Sequence, residues 1–315
     1  GGPEVLKLEE IEVPQPGPSE ILLRQTAIGV NFIDIYYRTG LYKLLSYPAG
    51  IGLEAAGVVE KAGEGVTHVQ PGDRVAYCGG PIGAYAGLRT IPAKYVVRLP
   101  DGISDQTAAA IMFKGLTAHY LLRRTFPVSR GDTVLIHAAA GGVGLLACQW
   151  ARHLGATVIG AVGNAKKAAL AMENGCDHAI VYTREKLVEK VKEYTGGQGV
   201  NVVYDSVGKD TFMDSLDCLK RFGMLVSFGN ASGAIPPFEP LLLSQKGSLY
   251  LTRPTLMHHI ENTEEYAKHA MELFHLVEQG VLKPQIGETY PLAKAQQAQK
   301  ELEARKTTGA LVLMP

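Results

Sequence analysis

The sequence predicts an α/β protein in which a doubly wound parallel sheet is joined to a second, β-rich module. Three observations lead to this fold class. Roughly the first hundred residues contain short apolar runs separated by Gly and Pro, whereas strand and helix patterns alternate after about residue 107. The glycine-rich stretch AAGGVG at 139–144 lies directly between an apolar run and a helical pattern. The chain of 315 residues is long enough for two domains of about 150 residues each.

The β-rich module is predicted from apolar runs that end in tight-turn sequences such as PQPGPSE, PGDR and LPDG. The segment NFIDIYYRTG at 31–40 favours a helical turn within it. We predict strands at Glu20–Val30, Leu53–Lys61, Arg74–Tyr77 and Lys94–Leu99.

The pattern changes near Thr107–Leu122, and β-α-β alternation follows. Parallel strands need crossover connections, and the helical patterns between the apolar runs supply them. The predicted strands are Thr133–Ala138, Ala156–Val162, His178–Tyr182, Val200–Asp205 and Met224–Phe228. The predicted helices are Gly142–Leu154, Ala165–Glu173, Glu185–Thr195 and Asp210–Arg221.

The tail is predicted to form one helix at Glu261–Gly280 and extended segments around Thr289–Leu292 and Gly309–Met314. We expect it to return to the β-rich module, which would make that domain discontinuous.

Composition limits the classes of partner and compartment. Lys+Arg and Asp+Glu number 31 each, so the neutral chain gives no general reason to expect nucleic acid or an anionic membrane as a partner. The apolar stretch Thr133–Ala151 is broken by His137, glycines and Gln149, which argues against a membrane span. No two cysteines form a C-x-x-C pair, so we expect no disulfide framework and a reducing cytoplasm. The cysteines are Cys78, Cys148, Cys176 and Cys218.

The glycine-rich stretch has the strand-glycine-helix setting of a Rossmann-type dinucleotide site. Glycines allow a tight turn and a close approach to a pyrophosphate, which then meets the N–H groups of the helix N-terminus. Against the pattern G-x-G-x-x-G, Ala139 occupies the first position, while Gly141 and Gly144 fit. The setting favours nucleotide binding over a purely structural turn.

The choice of nucleotide depends on the end of the second strand of the parallel sheet. An NAD site usually carries an acidic residue there for the ribose 2′-OH. This sequence has Asn164, Lys166 and Lys167 instead. Lysines attract a 2′-phosphate, so the sequence favours NADPH over NADH, although both lysines could also be a solvated helix face.

The reaction class follows from what the sequence lacks. The nine histidines and four cysteines do not cluster, and the adjacent His258 and His259 cannot converge on one ion from a helix. The nucleophile motif G-x-S-x-G is absent. Hydride transfer without a metal is the interpretation that remains, with the cofactor carrying the chemistry.

The sequence resembles a known family almost from end to end. The resemblance is carried by NFIDIYYRTGLY (31–42), GLEAAGVV (52–59), KAGEGV (61–66), PGDRV (71–75), HAAAGGVGL (137–145), VVYDSVG (202–208), LVSFGNASG (225–233) and LYLTRP (249–254). These motifs are similar to those of the zinc-independent quinone oxidoreductases, the zeta-crystallin-like branch of the medium-chain dehydrogenases/reductases. Zinc-dependent relatives carry Gly-His-Glu where this chain has Gly52-Leu53-Glu54, so the metal-binding His is missing. The cysteine ligand near Asn31 is missing too.

The resemblance implies a GroES-like catalytic domain at 1–117 and 256–315 and a Rossmann domain that binds NADPH at 118–255. Asn31, Tyr36 and Tyr42 resemble residues that border the nicotinamide and the substrate, and they are the candidate catalytic residues. The implied cofactor contacts are Asn31, Tyr36, Lys114, Thr117, Gly141, Gly142, Val143, Asn164, Lys167, Tyr182, Ser206, Phe228, Gly229, Ser232, Leu251 and Arg305.

The function implied by the resemblance is reduction of quinones by NADPH in the cleft between the domains, by hydride or single-electron transfer and without a metal. An NADPH-dependent reductase of activated C=C bonds would use the same fold and cofactor. A non-catalytic NADPH-binding protein that binds RNA or has a structural role is an alternative of another class. The resemblance also implies a homodimer, for which the strand around Ser248–Leu251 is a plausible edge.

Several of these residues also have simpler interpretations. Tyr36 and Tyr42 could be ordinary core or surface aromatics, and Arg305 could be a solvated charge. Asp34 could be a charge on a helix face. Asp205 is expected to make hydrogen bonds at a strand end rather than act as a base.

Overall fold

The computed structural model describes residues 1–315, and the chain divides into two units. The first unit comprises Gly1–Leu116, Ile260–Glu278 and Pro284–Pro315. The second comprises Thr117–His259 and Gln279–Lys283. The predicted functional domains, at 1–117 with 256–315 and at 118–255, stay a prediction.

The elements follow one another along the chain as thirteen strands and ten α-helices. The strands are β1 (Glu20–Val30), β2 (Glu54–Ala62), β3 (Arg74–Cys78), β4 (Leu88–Pro92), β5 (Val96–Arg98), β6 (Thr133–His137), β7 (Thr157–Val162), β8 (His178–Val181), β9 (Val200–Asp205), β10 (Leu219–Ser227), β11 (Tyr250–Thr252), β12 (Ile286–Pro291) and β13 (Ala310–Met314). The helices are α1 (Phe32–Thr39), α2 (Asp105–Tyr120), α3 (Gly142–His153), α4 (Ala165–Glu173), α5 (Leu187–Tyr194), α6 (Phe212–Asp217), α7 (Leu241–Gln245), α8 (Leu256–His259), α9 (Thr263–Glu278) and α10 (Ala295–Glu303). Short 3-10 turns lie at Pro3–Val5, Ala93–Tyr95 and Leu292–Lys294, and a π-helical turn at Leu121–Thr125 follows α2.

The first unit is built on a seven-stranded sheet of order β12-β13-β1-β2-β3-β5, with β4 paired to β1. Strand β1 lies in the middle of the sheet, with β2 on one side and β13 and β4 on the other. Its apolar residues Ile21, Leu23 and Ile28 are fully buried. The last strand, β13, lies antiparallel to β1 with Gly29 opposite Val312. The end of the chain is therefore part of the same sheet as its beginning.

The second unit contains a six-stranded sheet of order β11-β10-β9-β6-β7-β8 in which every pair is parallel. Its inner strands β6, β7 and β9 are mostly apolar and buried, as parallel strands between helices require. The predicted doubly wound sheet is confirmed. None of the helices combines the length and the apolarity that crossing a membrane would require.

The predicted helix Asp210–Arg221 is wrong at both ends, because α6 covers only Phe212–Asp217. Helix α6 ends at Asp217, and β10 already begins at Leu219, which pairs with Val200. The apolar residues of this segment therefore belong to two elements, the short helix α6 and the start of β10.

Three further differences concern short or weakly patterned elements. The predicted strand Lys94–Leu99 is shorter because a 3-10 turn occupies Ala93–Tyr95. Strand β4 and helix α10 were not predicted. The buried face of α10 is formed by Ala298 and Gln299, which give almost no apolar signal.

Candidate functional site

The carboxyl ends of the six parallel strands form one edge of the second sheet. β6 lies beside β9, and from these two strands the sheet extends in opposite directions, to β7 and β8 on one side and to β10 and β11 on the other. Ligands of open α/β sheets bind at such a reversal of strand order, outside the carboxyl ends. The predicted nucleotide-binding loops of this unit follow these strand ends.

The glycine loop leads from β6 into α3. Ala138 has a φ of +51°, so the tight turn lies one residue before Ala139, the position expected for the first glycine. Gly141 directly precedes α3, and its N–H donates to the Ala138 carbonyl at 2.8 Å. A Cβ on Gly144 would lie 2.3 Å from that carbonyl oxygen, so no side chain fits where the helix crosses the loop. The first N–H groups of α3 can therefore bind an anion such as a pyrophosphate.

Asn164, Lys167 and Tyr182 lie at the ends of β7 and β8. Asn164 caps α4, because its Oδ1 accepts the N–H of Lys167 at 2.9 Å. The Tyr182 side chain is exposed, and its Oη would lie 3.1 Å from a Cβ on Gly163. The structure thus brings these three residues to the start of α4. The helix N-terminus and the lysine both favour a bound anion there.

Two loops that follow β9 and β10 face each other. A Cβ on Gly229 would lie 2.4 Å from the Ser206 carbonyl oxygen, so this glycine lets the loops meet. The Ser232 hydroxyl donates to the Val207 carbonyl at 2.9 Å and accepts the N–H of Asp210 at 3.0 Å. These bonds link the loops. Four predicted cofactor residues lie in them: Ser206, Phe228, Gly229 and Ser232.

Asp205, at the end of β9, holds the first of these loops in place. Its Oδ1 accepts two backbone N–H groups at 2.7 and 3.1 Å, and its Oδ2 accepts the hydroxyls of Thr211 and Ser215 at 2.7 and 2.9 Å. The Ser215 hydroxyl also lies 2.9 Å from His137 Nε2, and burial lowers the pKa of His137. Asp205 therefore has the hydrogen-bonding role that we expected.

In the first unit, a fully buried carboxylate collects three donors. Glu54 Oε2 accepts the side-chain amide of Asn31 at 2.8 Å and the ammonium of Lys114 at 3.1 Å. Its Oε1 accepts the N–H of Phe113 at 2.6 Å. The ion pair is almost completely excluded from solvent, so the two charges must neutralise each other. We call Asn31, Glu54 and Lys114 the Glu54 cluster.

Asp34 lies beside this cluster and is completely buried. Its Oδ2 accepts the backbone N–H of Asn31 at 2.8 Å and the hydroxyl of Tyr85 at 3.0 Å, while its Oδ1 has no hydrogen-bond partner. Burial, with a smaller contribution from the negative charge of Glu54, raises the pKa of this carboxyl to about 7. The hydrogen bonds from Asn31 and Tyr85 and the positive charge of Lys114 lower the pKa, but by less. The interpretation of Asp34 as a helix-face charge is wrong, because α1 turns this face inward.

Tyr36 and Tyr42 form an aromatic group at the end of α1. Their ring centroids are 5.3 Å apart with an interplanar angle of 67°, and Tyr37 packs on Tyr42 in a similar way at 5.7 Å. The N–H of Tyr42 donates to the Tyr36 carbonyl at 3.0 Å, which fixes the turn between them. The two candidate catalytic tyrosines are therefore in contact.

Three other predicted cofactor residues lie in separate elements. Thr117 is buried in α2. Leu251 lies in β11, opposite Leu225 of β10. Arg305 follows α10 with a φ of +57°. Their roles stay predictions.

The residues of the Glu54 cluster do not suit zinc. Catalytic zinc needs three Cys, His or carboxylate ligands. Asn31 provides an amide, Leu53 is apolar and buried, and the Glu54 oxygens are already occupied by three donors. No group of three or more His, Cys, Asp or Glu side chains could hold a metal ion.

Sequence reasoning did not single out Glu54 and Asp34 as parts of one polar cluster. The signal for Glu54 was a lone carboxylate at the start of the apolar strand GLEAAGVV. The local signal for Asp34 was its spacing from Asn31, because the two residues form a capping box at the start of α1. Its burial has no local signal, and its other hydrogen-bond partner, Tyr85, lies 51 positions away.

Two family models match the chain. The alcohol dehydrogenase GroES-like domain matches residues 17–101, and the zinc-binding dehydrogenase family matches residues 142–275. The first match lies within the unit that holds the Glu54 cluster. The second begins at Gly142, the first residue of α3, and covers the ends of β7, β8, β9 and β10 described above.

Full-length relatives are similar to this chain. A quinone oxidoreductase of Pseudomonas aeruginosa is 51% identical over 100% of this chain and 97% of its own length. A 2-haloacrylate reductase of Burkholderia is 46% identical over 100% of this chain and 96% of its own. The crystal structure of Escherichia coli quinone oxidoreductase complexed with NADPH superposes with a TM-score of 0.98 at 50% identity, covering 100% of this chain and 97% of that chain.

Proposed function

Because the chain belongs to the quinone oxidoreductase family of the medium-chain dehydrogenases/reductases, we propose that it reduces quinones with NADPH. The observation that carries this proposal is the likeness over the whole chain, at 50% identity, to a quinone oxidoreductase solved with NADPH. The strand-end geometry of the second unit supports it independently, because the loop before α3 and the start of α4 are both suited to phosphate groups.

Bound NADPH would supply the hydride. The N–H groups at the start of α3, beside Gly141, Gly142 and Val143, would hold the pyrophosphate. Lys167 and the capped start of α4 would hold the 2′-phosphate, with Tyr182 beside the adenosine. The lysine gives NADPH its advantage over NADH, since a charged hydrogen bond to a phosphate has no counterpart in the unphosphorylated ribose.

We assign the remaining cofactor contacts to the loops after β9 and β10 and to parts of the first unit. Asp205 and Ser232 would keep these loops in position. This set comprises Asn31, Tyr36, Lys114, Thr117, Ser206, Phe228, Gly229, Ser232, Leu251 and Arg305.

Asn31, Tyr36 and Tyr42 would act at the quinone. The quinone oxygen gains negative charge as the ring is reduced, and a hydrogen-bond donor stabilises that charge. One N–H of Asn31 is already donated to Glu54. The candidate donors at the reduced oxygen are the second amide N–H of Asn31 and the hydroxyls of Tyr36 and Tyr42, and the bond to Glu54 holds Asn31 in a fixed orientation.

We also propose a catalytic domain at 1–117 and 256–315 and an NADPH-binding domain at 118–255. The proposed assembly is a homodimer in which β11, the outermost strand of the parallel sheet, pairs across a two-fold axis. The four free cysteines support a reducing compartment such as the cytoplasm.

A second candidate function is reduction of activated C=C bonds. It is favoured by the 46% identity to a protein described as a 2-haloacrylate reductase. Both functions would use the same cofactor, so the acceptor distinguishes them.

The test is a comparison of initial rates of NADPH oxidation with two acceptors, a naphthoquinone and a 2-haloacrylate. We expect kcat/KM for the quinone to exceed that for the haloacrylate by at least tenfold. A higher kcat/KM for the haloacrylate would assign the chain to C=C reduction. Lack of turnover with either acceptor would contradict both functions.

A further inference from the structure

Asp34 is the only buried carboxyl beside the Glu54 cluster that has no positively charged partner of its own. Glu54 is paired with Lys114. Arg38, one turn further along α1, is used by Gln299 and Glu303 of α10 at 3.1 and 2.8 Å. Ionisation of Asp34 would therefore add an unpaired negative charge to a site that is closed to solvent.

The hydrogen bonds of Asp34 do not compensate for such a charge. Its Oδ2 accepts from Asn31 and Tyr85, but its Oδ1 is buried without any donor. A carboxylate shares its charge between both oxygens, so a buried oxygen without a donor destabilises the ionised form more than the neutral acid.

The cation that acts on the Asp34 carboxyl is Lys114, and it is already paired with Glu54. Glu54 and Lys114 neutralise each other, as do Arg38 and Glu303. The other titratable neighbours are tyrosines with raised pKa values. The titratable groups that interact with Asp34 are Glu54 of β2, Lys114 of α2, Tyr77 of β3, Tyr85 of the loop before β4 and Tyr37 of α1. The buried Arg89 of β4 is directed at the Tyr77 hydroxyl and at backbone carbonyls.

We propose that Asp34 serves the reaction as a neutral carboxylic acid, a positioning residue that holds the backbone of Asn31 and keeps the Glu54 cluster free of net negative charge. This inference rests on the proposed quinone reduction. Burial raises the pKa of Asp34 to about 7, which agrees with the neutral form below neutral pH.

The consequence for the reaction is electrostatic. Negative charge develops on the quinone oxygen during reduction, and a second negative charge at Asp34 would oppose it in a region of low dielectric constant. Activity should therefore fall as Asp34 loses its proton. Asp34→Asn cannot ionise, and its amide oxygen can still accept from Asn31 and Tyr85.

The test is the pH profile of kcat/KM for a naphthoquinone at saturating NADPH. For the natural chain we expect a fall of about tenfold per pH unit above the pKa of Asp34. Asp34→Asn should show a profile that is flat within about twofold over the same range. Asp73→Asn, which removes a surface partner of Arg98 in the same unit, is the matched control and should retain the fall.

Tyr85→Phe tests the same claim in the other direction. Tyr85 donates to Asp34 and so favours the ionised form. Its removal should move the fall in activity to higher pH. The proposal is overturned if Asp34→Asn keeps the profile of the natural chain, or if Tyr85→Phe moves the fall to lower pH.

A second measurement separates this proposal from the proposed function. Infrared difference spectra report the C=O band of a protonated carboxylic acid without any turnover. The natural chain should show a band below neutral pH that disappears at alkaline pH and is missing in Asp34→Asn. Absence of the band would overturn the proposal even if quinone reduction is observed. A band in a chain that reduces no quinone would overturn the role in the reaction together with the proposed function.

Discussion

Gly144→Ala is the substitution that most directly tests the close contact between α3 and the glycine loop. The new Cβ would lie 2.3 Å from the Ala138 carbonyl oxygen and 2.8 Å from the Ala139 Cα, whereas Cβ atoms hardly ever come within 3.0 Å of a heavy atom outside their own and the adjacent residues. Relief of the first contact needs a shift of at least 3.0 − 2.3 = 0.7 Å. Both neighbours are backbone atoms in a turn already fixed by the positive φ of Ala138, so the helix itself must move.

The magnitude follows from two opposing effects. Overpacking against backbone that cannot relax costs about 3 kcal/mol, at the upper end of the usual range. Alanine in a helix gains about 1 kcal/mol over glycine. We therefore expect the second unit to lose about 2 kcal/mol in its free energy of unfolding. NADPH should also bind at least tenfold more weakly, because the start of α3 moves.

The assay is urea unfolding followed by the fluorescence of Trp150, the only tryptophan of the chain, which is buried in α3. Gly141→Ala is the matched control, since its Cβ would lie at a tolerable 3.2 Å from the Ala138 oxygen. The control should lose less than about 1 kcal/mol in its free energy of unfolding. It should still bind NADPH poorly, because its new methyl group would occupy the proposed pyrophosphate site. If Gly144→Ala is as stable as the natural chain or more stable, the close contact does not limit this position.

Four further predictions concern single side chains. Lys167→Ala should weaken NADPH binding by about tenfold to a hundredfold and leave NADH binding unchanged, as measured by titration; an equal loss for both would remove Lys167 from the 2′-phosphate site. Glu54→Ala should lower the free energy of unfolding of the first unit by about 3–5 kcal/mol in thermal or urea unfolding, because Lys114 is left buried without a counter-ion. Glu54→Gln should lower it by less. Equally small losses of stability in both variants would contradict the importance of the ion pair. Asp34 has a folded pKa of about 7 against an ordinary 3.8, so its contribution to stability is fully present below pH 3.8 and is lost as the pH rises towards 7. The loss of free energy of unfolding amounts to about 4 kcal/mol and should be absent in Asp34→Asn. If the free energy of unfolding depends on pH in the same way in both proteins, the prediction is contradicted. Tyr250→Glu should convert the proposed dimer into a monomer of 33.8 kDa in sedimentation experiments, because like charges would meet across the paired β11 strands. A natural chain that already sediments as a 33.8 kDa monomer would contradict the dimer.

The parallel half of the fold could be predicted because each of its strands carries its own signal. β6, β7 and β9 are continuous apolar runs, and the helices after β6 and β7 begin and end at recognisable residues such as Asn164 and Gly155. The segment at 210–221 failed because its apolar residues fit one long helix as well as a short helix and a strand. Only the pairing of Leu219 with Val200, a contact distant in sequence, decides between them.

The site was predictable only where the chemistry is local. Gly141 and Asn164 lie in patterns of a few residues whose geometry follows from the chain itself. The Glu54 cluster unites residues that are 23 and 60 positions apart, and the proposed neutral form of Asp34 depends on the pairing of the nearby Lys114 with Glu54. These properties, including the pairing of Lys114 with Glu54 beside Asp34, arise from tertiary packing, which no local spacing encodes.

The central claim, NADPH-dependent quinone reduction, is tested most directly by one comparison of kcat/KM for NADPH and for NADH with a naphthoquinone as acceptor. The geometry at Asn164 and Lys167 predicts that NADPH is preferred by at least tenfold. Equal values, or a preference for NADH, would contradict the account.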